Sequence, residues 1–564
     1  EIGSGLVGSE MCIRDSKYTP TKKTEDLKEY FNISSDDEVA LIVNNELSDY
    51  KAKIIDKKIY VDYKFVHDSL NSRFYWDANE NVLLYTTASD IISAAADSNS
   101  YSVTKQTNDF GYPIVKATSD SALIALDYVK QYSNITFKSY DDPARIVITS
   151  KWDEIDSATV SKSTQVRVKG GIKSPILKEV KKDDKITILD SGDKWDKVAT
   201  EDGVIGYIKR KALSESKKTK LTNPDYEEET FTHIKKDKDI CLAWNQVTSQ
   251  SANSKVPQVI SSTKGINVMS PTWFYLNDNN GNLADIASKD YVSYCHSQGI
   301  EVWGLFSNLE NTNVDAAYVL THTSTRTTLI NQIMSAAFNY ELDGVNIDFE
   351  NITEAAYGDS YIEFIRELSI KCHNNGISLS VDVTVPASFN KFFNRSDMAK
   401  FADYIVIMGY DEHYKGSDAG SVSSIPWVTE GVESTLKEVP ADQIILGMPF
   451  YTRIWELTPK EDDDAVTDTE DQSKYTVASQ VYSMDAAAAQ LATNNATAAL
   501  DEESGQNYAE WSASNKLYKV WLEDSTSLEK RLKLVDDNKL AGAAFWKLGF
   551  ENSFVWDTVI KYLD

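Results

Sequence analysis

The chain has 564 residues, of which 41% are hydrophobic and 11% aromatic, and its formal net charge is −28. This composition indicates a folded chain with about four domains, at about 150 residues per domain. The acidic balance excludes a typical nucleic-acid-binding protein, because phosphate recognition needs a basic face. No apolar run approaches the roughly 20 residues of a membrane-spanning helix, and the four cysteines have the spacing of neither a zinc site nor a disulfide framework.

Residues 1–36 are interpreted as a leader followed by a tether. The first sixteen residues, EIGSGLVGSEMCIRDS, are unlike the rest of the chain and are similar to translated adapter sequence, so we exclude them, with Cys12, from fold reasoning. Residues 17–36 are polar and predict a tether. An export signal or a membrane anchor would then belong to a natural N-terminal segment that is missing from this sequence.

Residues 37–152 predict a small α+β domain with an internal repeat. Residues 59–87 and 123–150 each suggest a short strand, a helix beginning at an Asp-Tyr pair, a strand ending near an acidic turn, and a β-rich strand. Self-similarity of this kind is typical of a structural scaffold. The segment resembles the N-terminal domain of copper amine oxidases, a module also used as a wall-associated spacer. No histidine cluster accompanies it, so the resemblance implies no copper chemistry.

Residues 157–214 predict a small β-barrel, because short β-rich runs alternate with turns that contain Gly, Asp and Lys. The run DSGDKWDKV followed by DGVIGYI resembles a bacterial SH3 domain. Such modules often bind peptide or cell-wall polymer, so the resemblance implies attachment to a wall. Residues 215–238 are charged and predict a linker.

From residue 239 to the C-terminus, apolar strand candidates alternate with helical segments. Eight such βα units predict a (β/α)8 TIM barrel. A long interval between the seventh and eighth strands, residues of about 456–525, predicts a small α+β insertion that walls one side of a cleft. It includes the acidic stretch 461–464. The strand candidates are residues 240–247, 266–274, 302–307, 345–349, 378–385, 404–408, 444–450 and 542–548.

The fourth of these strands departs from the pattern of a buried parallel strand. Residues 343–350 have the sequence DGVNIDFE, in which Asn346, Asp348 and Glu350 alternate with apolar residues. Buried parallel strands are normally apolar on both faces, and local departures of this kind tend to mark functional sites. Asp348 and Glu350 have Cα atoms ~6.6 Å apart along a strand, and like charges so close can keep one acid protonated. Their place near the C-terminal end of the strand is where TIM-barrel chemistry occurs.

Four motifs at the matching strands resemble family 18 glycoside hydrolases. DGVNIDFE is similar to the family signature D-x-x-D-x-D-x-E, and Met408-Gly409-Tyr410-Asp411 is similar to its M-x-Y-D motif. GMPFY at 447–451 and Trp546 match the seventh and eighth strands. The segments SPTWF at 270–274 and YDEH at 410–413, together with the preceding modules, are most similar to the branch of cell-wall and spore-cortex N-acetylglucosaminidases.

The resemblance implies substrate-assisted catalysis, which this family uses in place of a protein nucleophile. Glu350 would protonate the leaving oxygen and later activate water. Asp348 would orient the 2-acetamido group of the sugar and stabilise the oxazolinium ion, and Tyr410 would donate a hydrogen bond to that group. The mechanism retains the anomeric configuration and needs neither a metal ion nor a cofactor.

The resemblance also suggests residues that contact the substrate. Asp343 has a second interpretation as a support for the base of the strand, and Trp273 and Tyr451 are the weaker candidates. Asn346 stands where the family has an aspartate that shares a proton with its neighbour, so the pH profile is open, although Asn346 can hydrogen-bond Asp348. The substrate-binding candidates are Asp343, Asn346, Met408, Asp411, Trp546, Tyr451 and Trp273.

We expect a monomeric, extracellular or wall-associated hydrolase that acts on a polysaccharide containing N-acetylglucosamine. Peptidoglycan is favoured over chitin by the wall-type modules. The alternative is a non-catalytic glycan-binding protein built on the same barrel. The sequence mark of that alternative would be loss of the acid, and Glu350 is present.

Overall fold

A computed structural model describes residues 18–352, 355–460 and 471–563. The excluded leader with Cys12 and the acidic stretch 461–464 lie outside these ranges. The chain divides into two compact units, one made of Glu1–Tyr85 with Ile92–Glu229 and the other of Thr86–Ile91 with Thr230–Asp564. None of the helices within the described residues is long and apolar enough to span a lipid bilayer.

The N-terminal α+β region forms two sheets from its described residues. One has the strand order β11-β12-β1-β2-β3-β10-β9 and the other the order β4-β5-β6-β7-β8. Helical segments cover Leu27–Tyr30, Tyr63–Phe65, Val66–Leu70 and Leu126–Tyr132. The strands are β1 (Glu38–Val43), β2 (Glu46–Ile55), β3 (Lys58–Asp62), β4 (Tyr75–Asp77), β5 (Val82–Thr86), β6 (Ile91–Ala95), β7 (Ser100–Val103), β8 (Gln106–Asp109), β9 (Val115–Ala117), β10 (Ala122–Ala125), β11 (Thr136–Tyr140) and β12 (Arg145–Thr149).

The internal repeat is present as a repeated order of elements. Both copies run strand, helix, strand, strand: β3 to β5 in the first and β10 to β12 in the second. The copies differ in how the helix begins, because the Asp62 carboxylate caps the first helix by accepting from the amide of Lys64 at 2.7 Å. In the second copy Asp127 stands inside the first helical turn. The two hairpins belong to different sheets, so the repeat does not produce a symmetric domain.

The second part of this unit is all-β, as its turn-rich sequence predicted. Its described strands pair in the order β15-β14-β18-β17-β16-β13-β19. Val166, Val198 and Ile208 lie in its core. The strands are β13 (Glu154–Thr159), β14 (Thr164–Arg167), β15 (Ile176–Val180), β16 (Lys185–Asp190), β17 (Trp195–Thr200), β18 (Ile205–Lys209) and β19 (Lys217–Lys220), and a short 3₁₀ turn covers Arg210–Ala212.

The predicted polar tether is wrong for most of its described part. A helical turn at Leu27–Tyr30 brings Phe31 into the core beside Val166 and Val198, where it is 1% exposed. The Tyr30 hydroxyl donates to the carbonyl of Ile205 at 2.6 Å. A few aromatic side chains can anchor a segment whose other residues are polar, because burying one aromatic ring stabilises by ~2 kcal/mol.

The predicted linker 215–238 is also shorter than expected. Lys217–Lys220 form β19, an exposed edge strand that pairs antiparallel with β13. Charged lysines are common on edge strands because they prevent unwanted pairing, so an edge strand can have the composition of a linker. From Thr230 the chain belongs to the second unit, in which the amide of Ile234 donates to Asp403 at 2.7 Å. Residues 221–229 remain as the connection.

The second unit confirms the predicted TIM barrel. Eight parallel strands of the described chain pair in a closed ring, β20-β21-β24-β25-β26-β27-β28-β34, with β34 returning to β20. Residues 266–274, predicted as one strand, are interrupted: β21 ends at Pro271 and β22 forms a hairpin with β23. These strands are β20 (Ile240–Asn245), β21 (Val268–Pro271), β22 (Phe274–Leu276), β23 (Leu283–Asp285), β24 (Glu301–Ser307), β25 (Gly344–Asp348), β26 (Ser378–Thr384), β27 (Tyr404–Met408) and β28 (Ile444–Pro449), with β34 at Gly542–Trp546.

Helical segments alternate with the barrel strands and pack on their outer faces. Two of the long ones, Thr323–Tyr340 and Ala355–His373, flank β25 in sequence. The remaining α-helices are Val256–Ile260, Lys289–Ser297, Ala316–Thr321, Arg395–Phe401, Ile425–Leu436, Ser525–Asp537 and Val555–Val559, and 3₁₀ turns cover Gln250–Lys255, Ser388–Phe393 and Ala441–Gln443.

The insertion between β28 and β34 is a small α+β subdomain, as predicted. Its first strand begins at Tyr451, two residues after the end of β28, whereas the sequence predicted a start near residue 456. Its described strands form an antiparallel sheet in the order β30-β29-β33-β32-β31. The elements are β29 (Tyr451–Pro459), a 3₁₀ turn at Gln472–Lys474, β30 (Tyr475–Ser483), the helix Met484–Thr493, β31 (Ala499–Asp501), β32 (Gln506–Ala513) and β33 (Lys516–Trp521).

Candidate active site

A cavity of about 180 Å³ opens at the C-terminal ends of the barrel strands. Seven residues that the sequence predicted as site residues come together there, although they are far apart in the chain. Two further lining residues, Trp244 and Asp382, were not predicted. The lining residues are Trp244, Asp348, Glu350, Asp382, Met408, Tyr410, Asp411, Tyr451 and Trp546.

Glu350 follows β25 by two residues, and its backbone is held by Asn308. The Asn308 side-chain Nδ2 donates to the Glu350 carbonyl at 2.8 Å, and its Oδ1 accepts from the Glu350 amide at 2.9 Å. The strand pairing between β24 and β25 ends at Asp348. Beyond it, these two hydrogen bonds from Asn308 hold the backbone of Glu350. Burial raises the pKa of the Glu350 carboxyl, and the charges of Asp411 and Glu310 raise it further. A carboxyl of this kind remains protonated at higher pH than usual, as a general acid requires.

Asp348 lies deeper in the same pocket, at the end of β25. Its Oδ1 is enclosed and makes no hydrogen bond within the described part of the chain. Burial raises the pKa of Asp348 well above its usual range, followed by the charges of Asp382, Glu350 and Glu310. An enclosed carboxyl oxygen with no partner is costly to bury, and most costly when it carries a charge, which agrees with the raised pKa of Asp348.

Tyr410 follows β27 and is positioned by glycines on two strands. Gly409 donates its amide to the Gly447 carbonyl at 3.0 Å. A Cβ at Gly447 would lie 2.7 Å from the Ile407 carbonyl oxygen and 3.4 Å from the Tyr410 ring, so the tops of β27 and β28 approach closely only without that atom. Burial, followed by the charges of Asp382 and Asp348, raises the pKa of Tyr410 well above its usual value, so its hydroxyl stays protonated and can donate.

Residues 303–551, which include these three side chains, match the family model Glycosyl hydrolases family 18. The chain carries a family 18 glycosyl hydrolase domain. It is 24% identical over 301 residues to the uncharacterized glycosylase YvbX of Bacillus subtilis, covering 50% of this chain and 81% of that protein. It is 24% identical over 287 residues to the cortical fragment-lytic enzyme of Bacillus subtilis, covering 49% of this chain and 63% of that enzyme.

A solved structure supports the fold of the family 18 domain. The chitinase from Chromobacterium violaceum superposes with a TM-score of 0.50 and 20% identity, covering 57% of this chain and 98% of that chain. This superposition supports the barrel fold, whereas the assignment to glycosyl hydrolases rests on the match of residues 303–551 to the family model.

Asp411 and Tyr451 form the rim of the pocket in the family 18 domain. The Tyr451 hydroxyl donates to Asp411 Oδ1 at 2.5 Å. Asp411 has a φ of 60°, a left-handed conformation that aspartate tolerates better than most residues. Tyr451 is buried, whereas Asp411 is exposed. The pair connects the end of β27 to the first strand of the insertion.

We expect the Asp411→Asn variant to move the alkaline limb of the pH profile to lower pH. The negative charge of Asp411 raises the pKa of Glu350, so its removal lets the general acid lose its proton at lower pH. A shift of roughly one pH unit is expected from one nearby like charge at a partly solvated site. The measurement is kcat/KM against pH for the two proteins. An unchanged alkaline limb would show that Asp411 does not tune the acid.

Trp546 lines the pocket with Trp244, and their ring centroids are 6.0 Å apart. Trp244 is 1% exposed, and its Nε1 donates to Asn346 Oδ1 at 2.9 Å. Trp546 is partly exposed and faces the pocket, so it presents the flat apolar surface that a sugar ring needs. Trp244 has no sequence signal of its own, because it lies within an otherwise apolar strand.

Three predicted substrate contacts are not at the pocket. Trp273 is fully buried, donates from Nε1 to Asn253 at 2.8 Å, and packs against Tyr291, so its prediction as a sugar contact is wrong. Because β21 ends at Pro271, Trp273 lies in the hydrophobic core and not in the pocket. Asp343 lies at the start of β25, where its carboxylate accepts from the Val302 amide at 2.8 Å and pairs with His296 at 2.7 Å. It supports the base of the barrel, in agreement with its second interpretation.

Asn346 is the third residue that does not line the pocket. It is fully buried inside the barrel. The predicted hydrogen bond to Asp348 is replaced by one from its Nδ2 to Asp382 Oδ1 at 2.7 Å. Asp382 itself was missed, although the sequence contained a signal. It stands in the middle of SVDVT at 380–384, an aspartate in an apolar strand, which is the same departure that marks DGVNIDFE.

The described residues contain no group of three or more His, Cys, Asp or Glu side chains arranged to hold a metal ion. The described cysteines, Cys241, Cys295 and Cys372, are buried and unpaired. Burial raises the pKa of the Cys241 thiol to about 12, so it is an unreactive core residue.

We expect the Asn308→Ala variant to lower kcat while leaving the fold intact. Without the amide of Asn308, the backbone of Glu350 loses both bonds that fix it beyond the end of β25. Displacement of a catalytic group by a fraction of an ångström lowers kcat by roughly tenfold to a hundredfold. The matched control is Asn311→Ala in the same loop, because the Asn311 amide bonds to Asn277 away from Glu350. Equal kcat values for the two variants would contradict the role of Asn308.

Proposed function

We propose that this protein is a retaining glycoside hydrolase that cleaves β-linked N-acetylglucosamine polymers by substrate-assisted catalysis. The observation that carries the proposal is the arrangement of Glu350, Asp348 and Tyr410 around one pocket in a family 18 domain. Asp348 is enclosed and has a raised pKa, so its carboxyl is a poor nucleophile but a suitable partner for an amide N–H. The nucleophile is then supplied by the substrate.

In the first step, the Glu350 carboxyl gives its proton to the glycosidic oxygen as the bond from that oxygen to the anomeric carbon breaks. The carbonyl oxygen of the 2-acetamido group forms a bond to the same carbon and gives an oxazolinium ion. Asp348 accepts a hydrogen bond from the acetamido N–H and stabilises the positive charge. The Tyr410 hydroxyl donates to the acetamido oxygen.

In the second step, the Glu350 carboxylate takes a proton from water, whose oxygen attacks the anomeric carbon and reopens the oxazolinium ring. Each of the two displacements inverts the anomeric carbon, and two inversions leave the product with the configuration of the substrate. Trp546 supports the sugar ring from its apolar face throughout. Each residue therefore acts in both steps without moving to another position.

Peptidoglycan is the substrate that we propose, with chitin as the second candidate. A curated relative is named a cortical fragment-lytic enzyme, and solved structures of the same fold include chitinases. We further propose that residues 37–152 are a copper amine oxidase N-terminal-like domain and that the all-β region is a bacterial SH3-like domain. Both would attach a monomeric enzyme to the cell wall outside the cell.

The test uses pairs of substrates that differ only in the acetamido group. Chitin hexamer and its fully N-deacetylated counterpart are incubated with the protein, beside purified peptidoglycan, and new reducing ends are measured. We expect cleavage of the N-acetylated substrates alone, with the β-anomer of the product appearing first by NMR. Equal cleavage of the deacetylated oligomer would exclude assistance by the substrate. Binding of peptidoglycan with no new reducing ends would favour the non-catalytic alternative.

Attachment to the wall has a separate test. The Glu350→Gln variant should sediment with insoluble peptidoglycan, and a saturating concentration of soluble chitin oligomer should release only part of it, because the N-terminal domains bind elsewhere on the polymer. Complete release by the oligomer would show that the barrel alone accounts for binding.

A further inference from the structure

Two aspartates that line the pocket stand side by side on neighbouring strands. In the parallel register of β25 and β26, Asn346 lies opposite Ser380 and Ile347 opposite Val381. The next pair in this register is Asp348 and Asp382. Neighbouring strands are about 4.8 Å apart, and both side chains line the same cavity. The two carboxyls therefore occupy one layer of the barrel interior.

Asn346 fixes the orientation of Asp382. The indole Nε1 of Trp244 can only donate, so its 2.9 Å bond places the Asn346 oxygen on that side, where Ser270 Oγ also donates at 3.1 Å. The Asn346 Nδ2 then donates to Ser380 Oγ at 3.0 Å and to Asp382 Oδ1 at 2.7 Å. This bond occupies Oδ1 of Asp382 and leaves Oδ2 as the oxygen that can gain or lose a proton.

The surroundings of the pair do not favour two negative charges. The titratable groups that face it are the carboxyls of Glu350 and Glu310 and the phenols of Tyr410 and Tyr361, all of them neutral or anionic. Burial raises the pKa of both aspartates well above the usual range; for Asp382 the hydrogen bond from Asn346 opposes this and the charge of Glu350 adds to it. Asp348 Oδ1 and the Tyr361 hydroxyl are enclosed without hydrogen-bond partners in the described chain.

Resting on the proposed function, we propose that Asp348 and Asp382 share one proton and that Asp382 holds it when Asp348 faces the oxazolinium ion. The O–H bond on Asp348 breaks as the O–H bond on Asp382 forms, so the net charge of the pair does not change and no co-reactant is needed. Asp382 is a positioning residue that acts through Asp348. It supplies, one strand along the barrel, the carboxyl that Asn346 lacks.

The shared proton is tested without turnover by infrared difference spectroscopy at pH 7, in H2O and D2O. The double variant Asp348→Asn with Asp382→Asn should lose a single band of a protonated carboxyl relative to the wild type. The control Glu363→Gln removes a different buried carboxyl and should leave that band in place. Loss of two bands in the double variant would mean that both acids are protonated, and loss of none that both are ionised. Either outcome would overturn the proposal, whether or not the protein hydrolyses glycans.

The role of Asp382 in catalysis is tested by moving its carboxyl from position 382 to position 346. We expect Asp382→Asn to lower kcat by roughly tenfold to a hundredfold with little change in KM, because Asp348 is then less well placed. The double variant Asn346→Asp with Asp382→Asn returns a carboxyl beside Asp348 and should recover most of the lost kcat and the wild-type pH profile. Ser380→Ala removes a neighbour of Asn346 and should stay within about twofold. A double variant no better than Asp382→Asn alone would overturn the positioning role.

Discussion

Replacement of Glu350 by glutamine is expected to lower kcat by roughly 10²–10⁴-fold, the usual contribution of a general acid–base residue. Glutamine has the shape of the protonated acid but can neither give a proton to the leaving oxygen nor take one from water. Since the backbone of Glu350 is held by Asn308, the variant side chain should occupy the same place. The measurement is the rate of new reducing ends on chitin hexamer at saturating concentration.

The control for this variant is Glu310→Gln, which removes another carboxyl close to the site. Glu310 accepts from Ser307 Oγ at 2.8 Å and adds to the negative charge around Glu350. It does not line the pocket, so its removal should change kcat by less than about tenfold and act chiefly on the pH profile. A Glu350→Gln variant with kcat within tenfold of the wild type would exclude Glu350 as the acid.

Arg531→Met is expected to destabilise the second unit by about 3–5 kcal/mol, because it leaves a buried carboxylate unpaired. Arg531 and Glu523 are 0% and 1% exposed, and the guanidinium donates to both Glu523 oxygens, at 2.5 and 2.7 Å. It also donates to the Ser423 carbonyl at 2.5 Å. The same Glu523 accepts from Gln506 at 2.9 Å, so the ion pair joins the insertion to the barrel.

Differential scanning calorimetry of the full chain measures this effect as a lower transition temperature for the second unit. The matched control is Lys533→Met on the same helix, whose pair with Asp537 is exposed to solvent and therefore contributes little to stability. Adding Glu523→Gln to Arg531→Met should restore part of the loss, since no unpaired charge then remains buried. A single variant as stable as the Lys533→Met control would show that the network contributes little.

The barrel and much of its pocket were predictable from the order of residues along the chain. Long apolar runs separated by amphipathic segments define the eight strands, and this pattern depends only on neighbours along the chain. Polar residues that interrupt an apolar run near its C-terminal end identified Asp348 and Glu350, because a closed parallel barrel brings all C-terminal strand ends to one face. Tyr410 and Asp411 were predicted from the resemblance to the family 18 motif. The insertion was also predictable, since its length exceeds that of a βα connection.

The contacts between side chains on different strands were not predictable in this way. The register of β25 and β26 brings Asp382 to the strand position beside Asp348, and Asn308 reaches Glu350 from beyond the end of β24. Trp273 is excluded from the pocket by the interruption after β21, although its neighbours suggested a sugar contact. Register and strand interruptions depend on pairing between distant segments, which the local pattern of residues does not specify. The hydrogen bond from the Asn346 amide to Asp382 depends on such pairing, because the two residues lie on different strands.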